Sequence, residues 1–194
     1  GVDTLSGSLI AGGQLNVTID NASTTAFSAA GFTAGKVSVT GGTLGDNITG
    51  SLGDDTLIGG SGADNLTGGA GADTFNVDSG TDTISDLSGI GTSADVLIVN
   101  GSTTTANATL SANWTATSFS TNAQGTVVIT ANGFNVDLSN INSGNRWTIN
   151  NAGTGATLTG SSFFNDSITV SSTGNTLTGN NGVDTFTLNG GTNT

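Results

Sequence analysis

The chain has 194 residues and a formal net charge of −12, with two basic residues, 14 acidic ones (every one Asp) and no Cys, His, Pro, Met or Tyr. The absence of His removes Ser-His-Asp and Cys-His catalysis and zinc-protease motifs, and the absence of Cys removes disulfides and thiolate metal sites. Such acidity argues against nucleic acid or an anionic membrane as partner, and no apolar run reaches the 18 residues of a membrane span.

The first predicted elements are short strands. "TLSG", "LNVTID", "TAFSAAGF" and "KVSVT" are Thr/Val-rich runs bounded by Gly, Asn or Ser. β-branched residues favour strands and the bounding residues favour turns. One inward apolar residue per run gives Leu5, Val17, Phe27 and then Val37 or Val39.

A strict register follows. Asp46, Asp55, Asp64, Asp73 and Asp82 recur every nine residues, each followed two places later by an apolar residue: Ile48, Leu57, Leu66, Phe75 and Ile84. "GGSGADNLT" (59–67) and "GGAGADTFN" (68–76) match G-G-x-G-x-D-x-U-x at every fixed position. The D-x-U-x half reads as a strand with its apolar residue inward, and the glycines as a tight turn where positive φ costs little. If one unit is half a coil, equivalent loops stack every 18 residues, placing Asp46, Asp64 and Asp82 on one edge and Asp55 and Asp73 on the other. The Asp side chains are expected to point outward with the turn carbonyls, as an oxygen-rich set of the kind calcium requires. The expected metal residues are Asp46, Asp55, Asp64, Asp73 and Asp82, with Gly42, Gly53, Gly60, Gly62, Gly69 and Gly71 contributing carbonyls or turn geometry.

Residues 41–87 resemble the RTX (repeats-in-toxin, hemolysin-type) β-roll family. The tail "GTDTISDLSGIGTSADVLIV" resembles the segment that closes an RTX block, with Asp82, Asp86 and Asp95 in acidic positions. The resemblance implies Ca2+ as cofactor, folding outside the cell, and type I secretion of the unfolded chain.

Beyond the block the short runs continue, giving further inward residues at Leu97, Leu110, Phe119, Val128, Val136, Trp147, Leu158, Ile168, Leu177 and Phe186. Trp114, Trp147, Phe27 and Phe119 read as core fillers of wider turns; Phe163 and Phe164 replace a calcium turn and belong near an edge. "GADTFNVDSGTDT" (71–83) aligns with "GVDTFTLNGGTNT" (182–194) at an offset of 111, which also pairs Leu66 with Leu177, Asp55 with Asp166, Val17 with Val128 and Asn21 with Asn132. In the second copy Asn175 and Asn193 stand where Asp64 and Asp82 stand in the first, so most of the calcium chemistry is expected to be lost there. Asp166 and Asp184 keep the 18-residue spacing and form a further candidate pair.

The expected fold is all-β: a parallel β-roll or β-solenoid with two short strands per turn, flanked by wider irregular turns. A roll between β-sandwich modules is the alternative. The expected divisions are irregular turns over 1–40, the calcium roll over 41–87, capping turns over 88–152, and a degenerate second roll over 153–194 that continues further. The chain ends inside repeat-like units and reads as a piece of a longer protein. Function is expected to be that of a calcium-stiffened, non-enzymatic, extracellular building block of a surface layer, filament or giant adhesin. The alternative is the secretion and folding module of an RTX toxin or enzyme. The expected partners are further copies, through solenoid ends or edges, and a cell surface.

Overall fold

The computed structural model describes residues 2–7, 13–20 and 25–194, with side chains from residue 13 onward. The strands are β1 (Val2–Gly7), β2 (Gln14–Thr18), β3 (Ala26–Phe32), β4 (Lys36–Thr40), β5 (Asn47–Thr49), β6 (Thr56–Ile58), β7 (Asn65–Thr67), β8 (Thr74–Val77), β9 (Thr81–Gly89) and β10 (Val96–Val99). They continue with β11 (Thr105–Thr115), β12 (Thr121–Asn122), β13 (Thr126–Thr130), β14 (Val136–Asp137), β15 (Thr148–Asn151), β16 (Thr157–Thr159), β17 (Ser167–Val170), β18 (Thr176–Thr178) and β19 (Thr185–Leu188). Among the described residues, helix is confined to one short 3-10 turn, Gly91–Ser93.

The chain winds as a β-solenoid of about eight turns, and the strand pairings are parallel. Odd-numbered strands stack in one sheet from β1 to β19; β2, β4, β6, β8, β10 and β12 stack in a second. The register carries the nonapeptide logic directly. Ile48 lies opposite Leu66 and Leu66 opposite Ile84 in the first sheet, while Leu57 lies opposite Phe75 and Phe75 opposite Leu97 in the second. All six are fully buried, and the residues on either side of each face outward. Burying each such side chain stabilises by roughly 1.5–3 kcal/mol, so the ladder of single apolar residues is the core of the thin roll.

Coil length then grows. Equivalent residues are 18 apart in the roll (Asn47 opposite Asn65) and 24 apart in the next coil (Thr81 opposite Thr105), returning to 18 at Ser167 opposite Thr185. The extra residues let β9 and β11 turn a corner through register shifts, so that β11 pairs β13 along 105–109 and β14 at Trp114 and Thr115. From there β14, β16 and β18 form a third run of strands. The wider cross-section is filled by Trp114 and Trp147, both fully buried with ring centroids 6.3 Å apart at 45°.

Two inward assignments fail. Phe119 lies in a turn and is 74% exposed. In "TVVIT", Val127 and Ile129 point inward and Val128 outward; three consecutive apolar residues leave the alternation of a strand undetermined by sequence, and packing sets it one residue off. Phe186 lies opposite Ile168 on the core side of its coil and is 44% exposed. The side chain of Leu5, and Asn21 as a whole, lie outside the described residues.

Candidate metal centre

The repeated Asp side chains do not point outward. Asp46, Asp55, Asp64, Asp73, Asp82, Asp95 and Asp166 are all at most 2% exposed, tucked beneath their turns. Each reaches the preceding coil. Asp64 Oδ1 accepts the Asp46 N–H at 2.7 Å and Asp82 Oδ1 accepts the Asp64 N–H at 3.0 Å, both across 18 residues. On the other edge Asp55 Oδ1 accepts the Val37 N–H (2.7 Å), Asp73 Oδ1 the Asp55 N–H (2.8 Å) and Asp95 Oδ1 the Asp73 N–H (2.9 Å). Two ladders of carboxylates therefore stitch coil to coil, one on each edge. Backbone N–H groups at turns need acceptors when buried, and a short Asp side chain reaches them.

The second carboxylate oxygens differ from one position to another. Asp46 Oδ2 accepts the Gly42 N–H, Asp55 Oδ2 the Ser51 N–H, and Asp95 Oδ2 the Ser88 N–H. Asp64 Oδ2 and Asp82 Oδ2 are buried with no hydrogen-bond partner. Both oxygens look into the space over Gly59, where a Cβ would fall 2.6 Å from Asp64 Oδ2 and 3.1 Å from Asp82 Oδ2. Only glycine leaves that space open. Asp86 lies partly exposed and accepts the Gly68 and Gly69 N–H groups. The turn glycines are shaped by the stack: Gly60 and Gly62 have φ of 90° and 126°, and a Cβ on either would meet backbone of the preceding coil at 2.4 and 2.6 Å. Gly69 and Gly71 repeat that turn at φ of 106° and 128°. Gly42 and Gly53 do not have positive φ; their N–H groups bond Asp46 Oδ2 and Ser51 Oγ.

Burying carboxylates in pairs makes charge expensive. Burial first, and then the charges of neighbouring Asp, push the Asp64 and Asp95 carboxyls up to about 6 and those of Asp73 and Asp82 up to about 7. Burial also raises Asp55 and Asp166. Stacked, desolvated carboxylates without a positive partner are relieved either by taking up a proton, which Asp64 and Asp82 can share through a side-chain hydrogen bond, or by binding a cation.

A family model for the RTX calcium-binding nonapeptide repeat, hemolysin-type, matches residues 40–75, 49–84 and 162–194. The matched segments and the parallel β-solenoid fit an RTX β-roll. No significant match was found among curated proteins or solved structures. The matched RTX model describes a calcium-binding repeat, no catalytic family matched, and RTX repeats occur in secreted proteins. Among the described residues no helix is long and apolar enough to cross a membrane.

The RTX loops fit a calcium ion. Two buried, unpartnered anionic oxygens face one glycine-opened space, which is the hard-oxygen chemistry calcium takes. Among the described residues no three acidic side chains converge on one point, so turn carbonyls must complete any shell.

The second copy repeats the framework. Asp166 Oδ1 accepts the Trp147 N–H (3.0 Å), Asp184 Oδ1 accepts the Asp166 N–H (2.8 Å), and Ser161 donates its N–H and hydroxyl to Asp166 Oδ2. Ser51 likewise bonds Asp55, donating its N–H to Oδ2 and its hydroxyl to Oδ1. The role of these serines was not foreseen from sequence; the signal was a Ser close before an Asp of the ladder, at a loop lacking the full glycine pattern. Phe163 is exposed on the turn before Asp166, and Phe164 packs partly against the core.

Proposed function

We propose that this chain is a calcium-stabilised extracellular structural module of a repetitive secreted protein, of the surface-layer, filament or giant-adhesin kind. The observation that carries the calcium half is the pair of buried, unpartnered oxygens of Asp64 and Asp82 in stacked RTX loops. Asp46, Asp55, Asp73 and Asp86 extend the same acidic edges, with Asp95 closing one of them and Asp166 with Asp184 forming the weaker pair. Gly42, Gly53, Gly60, Gly62, Gly69 and Gly71 shape the loops whose carbonyls would complete the shells. A bound calcium ion would supply the positive charge that these buried carboxylates lack. The chain's own residues align the coils, keep water from the edges and fix the spacing between loops, so that the solenoid becomes stiff.

The structural half is supported by a cross-section filled with side chains and by coils that stack in one continuous direction. Association of copies through solenoid ends or edges is part of this reading. Sedimentation velocity in millimolar calcium and in chelator is the test. Calcium-dependent oligomers are expected; a strictly monomeric particle at every calcium concentration refutes the array reading.

A further inference from the structure

We infer that the side-chain amides of Asn175 and Asn193 take the place of the cation at one edge of the C-terminal stack, so that this edge of coils 148–194 holds together without calcium. The inference rests on reading Asp64 and Asp82 as calcium ligands.

The framework is the same in both copies. In the first, the Asp46 N–H reaches Asp64 Oδ1 and the Asp64 N–H reaches Asp82 Oδ1. In the second, the Ala156 N–H reaches Asn175 Oδ1 at 3.0 Å and the Asn175 N–H reaches Asn193 Oδ1 at 2.9 Å. These bonds fix which atom of each amide is the oxygen, because a backbone N–H requires an acceptor. The other atom is therefore the NH2 group, standing where the first copy has an orphaned carboxylate oxygen.

Those NH2 groups are fully engaged. Asn175 Nδ2 donates to Ser172 Oγ and Asn193 Oδ1, both at 3.1 Å. Asn193 Nδ2 donates to the carbonyls of Ser172 (3.1 Å) and Gly190 (2.8 Å). At the 111-residue offset, Ser172 and Gly190 correspond to Ser61 and Ser79 of the first copy. The donors thus satisfy turn carbonyls of the kind a calcium ion would otherwise draw on. One coil earlier, Asn151 Nδ2 donates to Asn175 Oδ1 at 3.0 Å and extends the amide chain across a third coil.

Each Asp-to-Asn exchange removes one buried negative charge and adds two donors. The Asn175–Asn193 edge has no ladder carboxylate to neutralise, and its NH2 groups already bond the Ser172 and Gly190 carbonyls. In a solenoid, each coil is stabilised by its neighbours. A metal-free stack gives the calcium-dependent roll an ordered body on which to fold when calcium arrives.

The experiment is amide hydrogen exchange by mass spectrometry on the full chain, in chelator and in calcium. In chelator, peptides covering Ala156 and Asn175 should exchange at least about tenfold more slowly than those covering Asp46 and Asp64. Calcium should slow 41–87 and leave the peptides covering Ala156 and Asn175 nearly unchanged. Equal exposure of both segments in chelator, with calcium protecting both, overturns the inference while keeping calcium in the roll. Calcium protecting neither segment overturns the reading of Asp64 and Asp82, and the inference with it. The double variant Asn175→Asp/Asn193→Asp should lose protection at 148–194 in chelator, regain it in calcium and bind one ion more by calorimetry. Parent-like protection and an unchanged ion count overturn the inference.

Discussion

Removing calcium should make the first roll an acid-stabilised structure. The Asp82 carboxyl is raised from 3.8 to about 7 by burial and by its neighbours. That is about three pKa units, and one unit corresponds to about 1.4 kcal/mol, so ionising Asp82 within the metal-free fold costs about 4 kcal/mol. The sign follows from linkage. Below about pH 4 the carboxyl is protonated in both folded and unfolded chains and no penalty exists. As pH rises toward 7, the unfolded chain ionises freely while the folded one resists, so stability falls and is lowest above about 7. Asp64, Asp73 and Asp95 act in the same direction, although coupled groups do not add in full. The assay is thermal melting by far-UV circular dichroism on metal-stripped protein from pH 4 to 8. The midpoint should fall as pH rises, and Asp82→Asn should flatten the slope. In saturating calcium the order should invert, since protons then compete with the ion for the same oxygens. A metal-free midpoint that is flat or rises from pH 4 to 7 would refute the reasoning.

Three substitutions and one control test the packing. Gly62→Ala places a Cβ 2.6 Å from the backbone nitrogen of Gly45 at a φ of 126°; the calcium-induced β signal should be largely lost, with a sharp rise in proteolysis near that turn. Leu66→Ala removes a fully buried rung and should cost about 2–5 kcal/mol in denaturant melts, whereas the outward neighbour Thr67→Ala should stay within about 0.5 kcal/mol. Trp114→Phe deletes the 3.0 Å bond from Nε1 to the Asp95 carbonyl and leaves a buried acceptor unsatisfied. It should lower stability by about 1–3 kcal/mol, with intrinsic fluorescence reporting the melt.

Much of this fold is legible in the sequence because the strict units are over-determined. Nine-residue spacing, a glycine turn and one apolar residue per strand admit little but a roll, and Ile48, Leu66 and Ile84 stack as their spacing requires. The side-chain direction of the Asp ladder was not legible. The preference of carboxylates for water argues outward, and what reverses it is the need of N–H groups in the preceding coil for acceptors, as at Val37 and Asp46. The wide turns were legible only as a loosening of the period. Which of Trp114, Phe119 and Val128 would face the core depended on how β11 turns its corner, a long-range choice with no local signature. The asparagine edge was visible as a substitution at an offset of 111, but only the geometry shows where each NH2 group goes.

The most direct test of calcium as the staple of the roll is a calcium titration of the metal-stripped chain at pH 7.5, followed by far-UV circular dichroism, with magnesium as control. Extracellular calcium modules respond at roughly 10⁻⁴–10⁻³ M. A cooperative gain of β signal in that range, absent with magnesium and absent in Asp64→Asn/Asp82→Asn, is the expected result. A chain already fully folded in chelator at that pH, and silent to calcium, would contradict it.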